Sequence, residues 1–216
     1  MTSSAPLAEA KPATIMRQVP ACGIHAGPDA QALDRITDPG CALALWWHRP
    51  APAFQAWMDA IPEAALPRLR ATVTLDEVAQ VVHAACDEAG TPDGRHRAAL
   101  SAHIVDLASR FSRVMGCRRL ALRLDAGRGQ ACPKWHLDAV EARLLSSLRG
   151  PGTEFAPLRN AGADHAEPGD IQQMRTGEVG LFRGRGWRGG PPAILHRSPP
   201  AGRDKARLLL VMDPLR

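Results

Sequence analysis

The chain has 216 residues, of which 45% are hydrophobic and 23% are charged, and its formal net charge is +5. This length and composition predict a globular protein with a substantial core, and the sequence has no run of 18 apolar residues that would predict a membrane span. Its five cysteines are an odd number without close spacing, which argues against a disulfide scaffold and favours a reducing compartment, so we expect a cytoplasmic protein.

The first predicted elements are a tail, a strand and a short helix. Residues 1–20 are rich in Ala, Pro and Ser without apolar periodicity, which predicts a disordered tail and lacks the apolar core of a signal peptide. The apolar run Cys41–Trp47 predicts a strand. Apolar residues at spacings of three and four then predict a helix over 52–61, which stops at Pro62.

Two longer helices are predicted next. Thr74 and Glu77 have the spacing of a capping box at a helix start, and Gly90 supplies the stop. Apolar residues at helical spacing over Asp93–Met115 predict a further helix. We therefore expect residues 21–116 to be mostly helical.

After residue 116 the apolar period changes to two. The segment 117–126 alternates leucine with arginine and alanine, as a half-buried strand does. Further strands are predicted at Lys134–Asp138, Ala142–Leu148, Ile171–Met174, Val179–Phe182, Ala193–His196 and Arg207–Met212. The turn-rich segments between them predict a β-sandwich or open barrel over 117–216, within a single domain covering 21–216.

The segment WHLD at 135–138 is the main candidate for chemistry. On a strand His136 and Asp138 would point to the same face, and His196 follows on a later predicted strand. Two imidazoles and a carboxylate can hold one face of an octahedral Fe(II) and leave three positions open. The pattern therefore predicts a mononuclear metal site.

The layout of 117–216 resembles the double-stranded β-helix of Fe(II)/2-oxoglutarate oxygenases. The resemblance implies an α+β fold, in which a mainly helical N-terminal half packs on a C-terminal jelly roll. It also implies that His136, Asp138 and His196 are the metal ligands and that Arg207 anchors the distal carboxylate of 2-oxoglutarate. An arginine suits that role because its planar guanidinium binds a carboxylate through two parallel bonds.

Three longer runs give a more specific resemblance. From about Trp46 to the end, CPKWHLD, RGPGTEF and LFRGRGW…AILHRSPP…RLLLVMD resemble the bacterial family known as domain of unknown function 1826. This resemblance implies a link with metal handling and names no activity. It leaves the identity of the metal open.

Cys132 supports an alternative interpretation of the same residues. If the strand runs through Pro133, the thiol points the same way as His136 and Asp138 and becomes a candidate fourth ligand, although proline tends to interrupt a strand. Four protein ligands are typical of a closed zinc site. The alternative is a non-enzymatic zinc-binding or metal-homeostasis protein, and a third possibility is a binding module that kept the fold without the metal.

Several neighbouring residues are candidates for binding cosubstrate or substrate. Thr153 and Glu154 follow a predicted strand and are expected at the mouth of the site, and Arg143 is a second candidate for an anion contact after Arg207. Residues 1–116 have a net charge of −2 and residues 117–216 one of +7, which favours a small anionic cosubstrate. Scattered basic residues and few aromatics argue against a nucleic-acid partner. The substrate stays unknown, and the helical half is a candidate for homodimer formation.

Overall fold

The computed structural model describes residues 23–159, 168–189, 194–200 and 206–216, and the predicted tail at 1–20 lies outside them. Ten strands form two sheets. The large sheet has the order β1 (Ile24–Gly27), β2 (Leu43–Trp46), β8 (Val179–Arg183), β5 (Ala142–Arg149), β10 (Arg207–Leu215), β4 (Arg119–Gly127) and β3 (Leu69–Thr74). Only β1 and β2 are parallel; the other neighbours are antiparallel.

The small sheet packs over one face of the large one. Its order is β7 (Gln172–Gln173), β6 (Glu154–Pro157) and β9 (Ile194–Arg197). An apolar cluster joins the two sheets, with Phe155 of β6 and Phe182 of β8 meeting edge to face at 6.5 Å between ring centroids. Strands β3 and β4 contribute nothing to this cluster. The small sheet therefore leaves that end of the large sheet uncovered.

Helices cover the opposite face of the large sheet. They are α1 (Pro52–Ala60), α2 (Val78–Ala89) and α3 (Arg95–Met115), with 3-10 turns at Ala30–Thr37, Glu63–Ala65 and Leu75–Glu77. The alternation of β4 and β10 sends Leu120, Leu122, Leu124, Leu208, Leu210 and Met212 into this larger core. Each such side chain stabilises the fold by about 1.5–3 kcal/mol when fully buried. The odd-numbered residues of both strands face the small sheet or the uncovered end.

The predicted helix signals are confirmed. The Thr74 amide donates to Glu77 Oε2 at 2.8 Å, so the capping box is formed at the turn that leads into α2. Gly90 and Gly116 end α2 and α3 in the left-handed conformation, with φ of 68° and 60°, which glycine adopts without a Cβ clash. Among the described residues no helix is long and apolar enough to cross a membrane.

The mixed class of helices and sheet agrees with prediction, but the N-terminal half is not clearly helical. That half contributes β1, β2 and β3 to the same sheet as the C-terminal strands. The prediction located β2 and missed β1 and β3, which lie at the two edges of the sheet. β1 has only four residues, too few to show a clear period. The apolar residues Leu69, Ala71 and Val73 of β3 do alternate with polar ones, a strand signal that the prediction overlooked.

Candidate metal centre

The WHLD segment lies beside β9, although it does not form the strand predicted over Lys134–Asp138. Its one ladder contact is a bridge in which the amides of His136 and His196 each donate to the other's carbonyl at 3.1 Å. On one side the Ser198 amide donates to the Cys132 carbonyl at 2.9 Å, so the regular register of the ladder does not continue. On the other side the Asp138 carbonyl accepts from the Arg185 amide at 2.8 Å. The bridge still aligns the two histidines, whose ring centroids are 4.5 Å apart.

The structure brings His136, Asp138 and His196 together, as the sequence predicts. One donor atom from each lies within 4.8 Å of the other two. His196 Nε2 is 3.2 Å from Asp138 Oδ2, and His136 Nε2 is 3.9 Å from Asp138 Oδ1. These separations match ligands that share one ion with bonds near 2 Å.

Hydrogen bonding sets the orientation of the half-buried His136 imidazole. His136 Nδ1 is 3.0 Å from the Lys134 carbonyl oxygen. Because a carbonyl oxygen only accepts, Nδ1 carries the hydrogen, and Nε2 keeps the lone pair that a metal needs. His196 is buried against the Phe182 ring. Burial lowers the pKa of His196, although Asp138 opposes that shift, so this imidazole favours its neutral, metal-binding form.

The Asp138 carboxylate provides the test of whether a cation fits. Burial raises the pKa of Asp138, but His196, Arg143 and His136 together outweigh it and hold the pKa below its usual value. Its Oδ2 is buried and receives no hydrogen bond of good geometry, although His196 Nε2 faces it at 3.2 Å. A buried carboxylate oxygen this close to an imidazole nitrogen is favourable only when a proton or a cation lies between them. The residues present therefore fit a divalent metal.

Arg143 is held between two carboxylates. It contacts Asp138 through NH1, and it binds Asp213 through two bonds of 2.6 and 2.7 Å. The side chain lies on the wall of the cavity described next, but its donors point to Asp138 and Asp213. Its contacts favour a role in orienting Asp138, and they leave Arg207 as the better anchor for a cosubstrate.

A cavity of about 230 Å³ connects the histidines to Arg207. Arg207 donates to Ser147 Oγ at 2.9 and 3.2 Å, to the Pro151 carbonyl at 3.0 Å and to Thr153 Oγ1 at 3.1 Å. None of these partners is a carboxylate. Burial lowers the pKa of Arg207 to about 10, and Asp125 opposes part of that shift. A half-buried guanidinium whose hydrogen-bond partners among the described residues are all neutral is suited to binding an anion.

Thr153, Glu154 and Cys132 occupy different positions around this cavity. Thr153 is buried on its wall, whereas Glu154 points to Arg197 at 2.7 Å and is not among the lining residues. Cys132 Sγ lines the cavity 3.6 and 3.8 Å from the two ring nitrogens of His136. It is exposed and stands outside the group of three whose donor atoms lie within 4.8 Å.

Sequence reasoning missed several charged residues of the site, among them Asp213 and Arg123. Asp213 ends the run RLLLVMD and looks like the polar end of a strand, yet it is buried and binds Arg143. Arg123 looks like the solvent face of β4, yet it lines the cavity. The alternation of apolar and polar residues indicates which face of its strand each residue takes. Only the order of the strands in the sheet shows that β4 and β10 are neighbours.

Solved structures similar to this chain include three oxygenases. The rice dioxygenase for auxin oxidation is 17% identical over 90% of this chain and 83% of its own, with a TM-score of 0.49. A prolyl-4-hydroxylase from Pseudomonas putida is 12% identical over 86% and 94%, with a TM-score of 0.43. The dioxygenase for auxin oxidation 1 of Arabidopsis thaliana, in a binary complex with 2-oxoglutarate, is 12% identical over 78% and 74%, with a TM-score of 0.41.

The sequence itself relates the chain to a family. No curated protein matches it. The family described as "Protein of unknown function (DUF1826)" matches residues 27–213. This range includes the candidate metal ligands His136, Asp138 and His196. This chain belongs to the DUF1826 family.

Proposed function

We propose that this protein is an Fe(II)/2-oxoglutarate-dependent oxygenase whose two sheets form a double-stranded β-helix. The observation that carries the proposal is a single cavity lined by two imidazoles of the metal-binding group and by the half-buried Arg207. Three protein ligands leave open positions on an octahedral metal, which a closed structural site would not. The arginine then supplies a cation for the far end of a dicarboxylate.

Each residue has a distinct task in this proposal. His136 Nε2, His196 and Asp138 would hold the metal, and Lys134 fixes His136 through its carbonyl. Arg143 would keep the Asp138 carboxylate ionised and would hold it in the orientation needed to bind the metal. When bound, Fe(II) and 2-oxoglutarate together supply the oxidation of a substrate C–H bond by O₂, with succinate and CO₂ as coproducts.

Arg207 would select the cosubstrate. Ser147 and Thr153 hold its guanidinium in place through their hydroxyl oxygens, so little side-chain entropy is lost when an anion binds. A carboxylate that reaches Arg207 gains charge-assisted hydrogen bonds in a mostly buried position, where they are strong. The absence of a carboxylate among the described partners of Arg207 leaves that position for a ligand.

Zinc retention is the second candidate, and Cys132 is the observation that favours it. Its Sγ lies 3.6 Å from His136 Nδ1 and 3.8 Å from Nε2. A rotation of this exposed side chain would bring a thiolate towards the other three donors and close the site. Metal analysis of protein purified without chelator distinguishes the two functions. One tightly held zinc per chain, with Cys132 protected from thiol reagents, would favour zinc retention.

An anaerobic titration tests the oxygenase proposal. Fe(II) and 2-oxoglutarate added together should give a weak visible charge-transfer band, and aerobic protein should consume 2-oxoglutarate slowly without added substrate. Asp138→Ala and His136→Ala should abolish the band. The matched control is His83→Ala, since His83 is exposed on α2 and should leave the band unchanged. A protein that neither forms the band nor consumes 2-oxoglutarate would overturn the proposal.

A further inference from the structure

A second cavity, of about 670 Å³, adjoins the metal cavity and has a strongly cationic lining. The two share Arg123, Asp125, Ala131, Arg207 and Leu209. Its further charged residues are Arg70 and Arg128. It lies over β3, β4 and the start of β10, at the end of the large sheet that the small sheet leaves uncovered. Its volume lies in the range of roughly 300–1,000 Å³ typical of small-molecule sites.

Two arginines face each other across the floor of this cavity. The register of β3 and β4 places Arg70 directly opposite Arg123. Like charges in directly opposite positions of an antiparallel pair destabilise a sheet. An arrangement of this kind is expected where an anion binds between the two side chains.

The carboxylates near Arg70 and Arg123 neutralise the positive charges of these two side chains poorly. Asp125 lies 3.8 Å from Arg70 and 4.0 Å from Arg123, beyond hydrogen-bond distance in both cases. Asp213 is 3.6 Å from Arg123, but its two oxygens already bind Arg143 at 2.6 and 2.7 Å. Arg128 differs from the pair because it is hydrogen-bonded to a glutamate. Within the part of the chain that the structure describes, Arg70 and Arg123 therefore keep donors for an incoming ligand.

We propose that the Arg70–Arg123 pair binds the oxyanion of the substrate, a small organic molecule with a terminal carboxylate or phosphate. This inference rests on the proposed function. The shared lining of the two cavities would place the rest of such a molecule near His136 and His196. Arg207 is occupied by the cosubstrate in this arrangement, so the substrate needs its own cations, and the pair supplies them.

Matched probes test the proposal by ¹⁹F NMR titration. The probes are 4-fluorophenylacetate, 4-fluorophenyl phosphate and the uncharged 4-fluorophenylacetamide, each with protein alone and with protein holding Co²⁺ and 2-oxoglutarate. At least one acid should bind, and the amide should bind at least about tenfold more weakly, as the loss of one or more charge-assisted hydrogen bonds predicts. Paramagnetic broadening of the bound acid by Co²⁺ would place it near the metal cavity. The tighter acid identifies the oxyanion as carboxylate or phosphate.

Variants assign the binding to the pair. Arg70→Gln, at an edge-strand side chain that is 75% exposed, should weaken acid binding without unfolding the protein. The double variant Arg70→Gln/Arg123→Gln should weaken acid binding by about tenfold or more, and it should leave the binding of the amide probe unchanged. Arg119→Gln is the matched control, because Arg119 is exposed on β4 away from both cavities.

Four results would overturn the inference. They are acids that do not bind, acids that bind no better than the amide, a control that weakens binding as much as the pair does, and a bound acid that Co²⁺ does not broaden. The loss of acid binding in the Arg70 and Arg123 variants, compared with the unchanged Arg207, reports on the pair with or without metal. The charge-transfer band with Fe(II) reports on the oxygenase function, so the failure of one can be told from the failure of the other.

Discussion

Replacing Arg143 with methionine is the sharpest structural perturbation of this site. The Arg143 side chain is 19% exposed and lies between Asp138, which is 6% exposed, and Asp213, which is 10% exposed. Methionine keeps much of the apolar stem and removes the cation. Two carboxylates would then be buried without their shared partner.

The expected loss is large. Removing one partner of a buried ion pair costs about 3–5 kcal/mol, because the remaining charge stays desolvated. A protein of this kind has a total free energy of unfolding of about 5–15 kcal/mol, so Arg143→Met should remove roughly a fifth or more of it. Arg143→Met/Asp213→Asn should be less destabilised than Arg143→Met, since the double variant has one fewer buried charge to compensate.

Urea unfolding at pH 7 measures these losses. The control is Arg216→Met, because Arg216 forms an exposed ion pair with Glu141 that should contribute no more than about 1 kcal/mol. The loss in Arg143→Met should also shrink as the pH falls, because protonated carboxyls need no cation. A loss no larger than that of the control, or a double variant as unstable as the sum of its single variants, would refute this account of the site.

Three other changes have definite expected outcomes. Arg207→Met should weaken 2-oxoglutarate binding by about 10–150-fold in a charge-transfer titration while the metal still binds, and unchanged affinity would contradict its role as anchor. Burial lowers the pKa of His103 to about 4, so the folded state loses about 1.4 kcal/mol per unit as the pH falls from 6.5 to about 4, and His103→Gln should remove that slope from urea unfolding data. In Gly184→Ala the new Cβ would lie 2.0 Å from the Val140 carbonyl oxygen, so unfolding experiments should show a loss of about 1–3 kcal/mol and weaker metal binding. Gly127→Ala, which meets nothing within 4 Å, should be close to neutral in the same assays.

Local signals in the sequence predict local features of the structure well. The capping residue Thr74 and the stop at Gly90 predict a helix because the interactions that begin and end it lie within a few residues. His136 and Asp138 are two residues apart, so their proximity is also a local property. The position of His196 opposite His136 depends on strand pairing, and it was reached through a resemblance to known oxygenases.

Features that depend on strand order could not be predicted in this way. β1 pairs with β2 at an edge of the sheet, and its four residues are too few to show a clear period. Asp213 and Arg143 are 70 residues apart, and only the pairing of β10 with β5 makes them partners. Arg70 likewise lies opposite Arg123 because of the register between β3 and β4, two strands that are distant in the chain. Periodicity reports which face a residue takes, but it does not report which strand lies beside it.

Anomalous diffraction from anaerobic crystals grown with Fe(II) and 2-oxoglutarate tests the central claim most directly. The account predicts one iron bound by His136, Asp138 and His196, with metal–nitrogen distances of about 2.0–2.1 Å. It also predicts that the distal carboxylate of 2-oxoglutarate lies against Arg207. An iron bound by other residues, or these three side chains without iron at saturating metal, would contradict it.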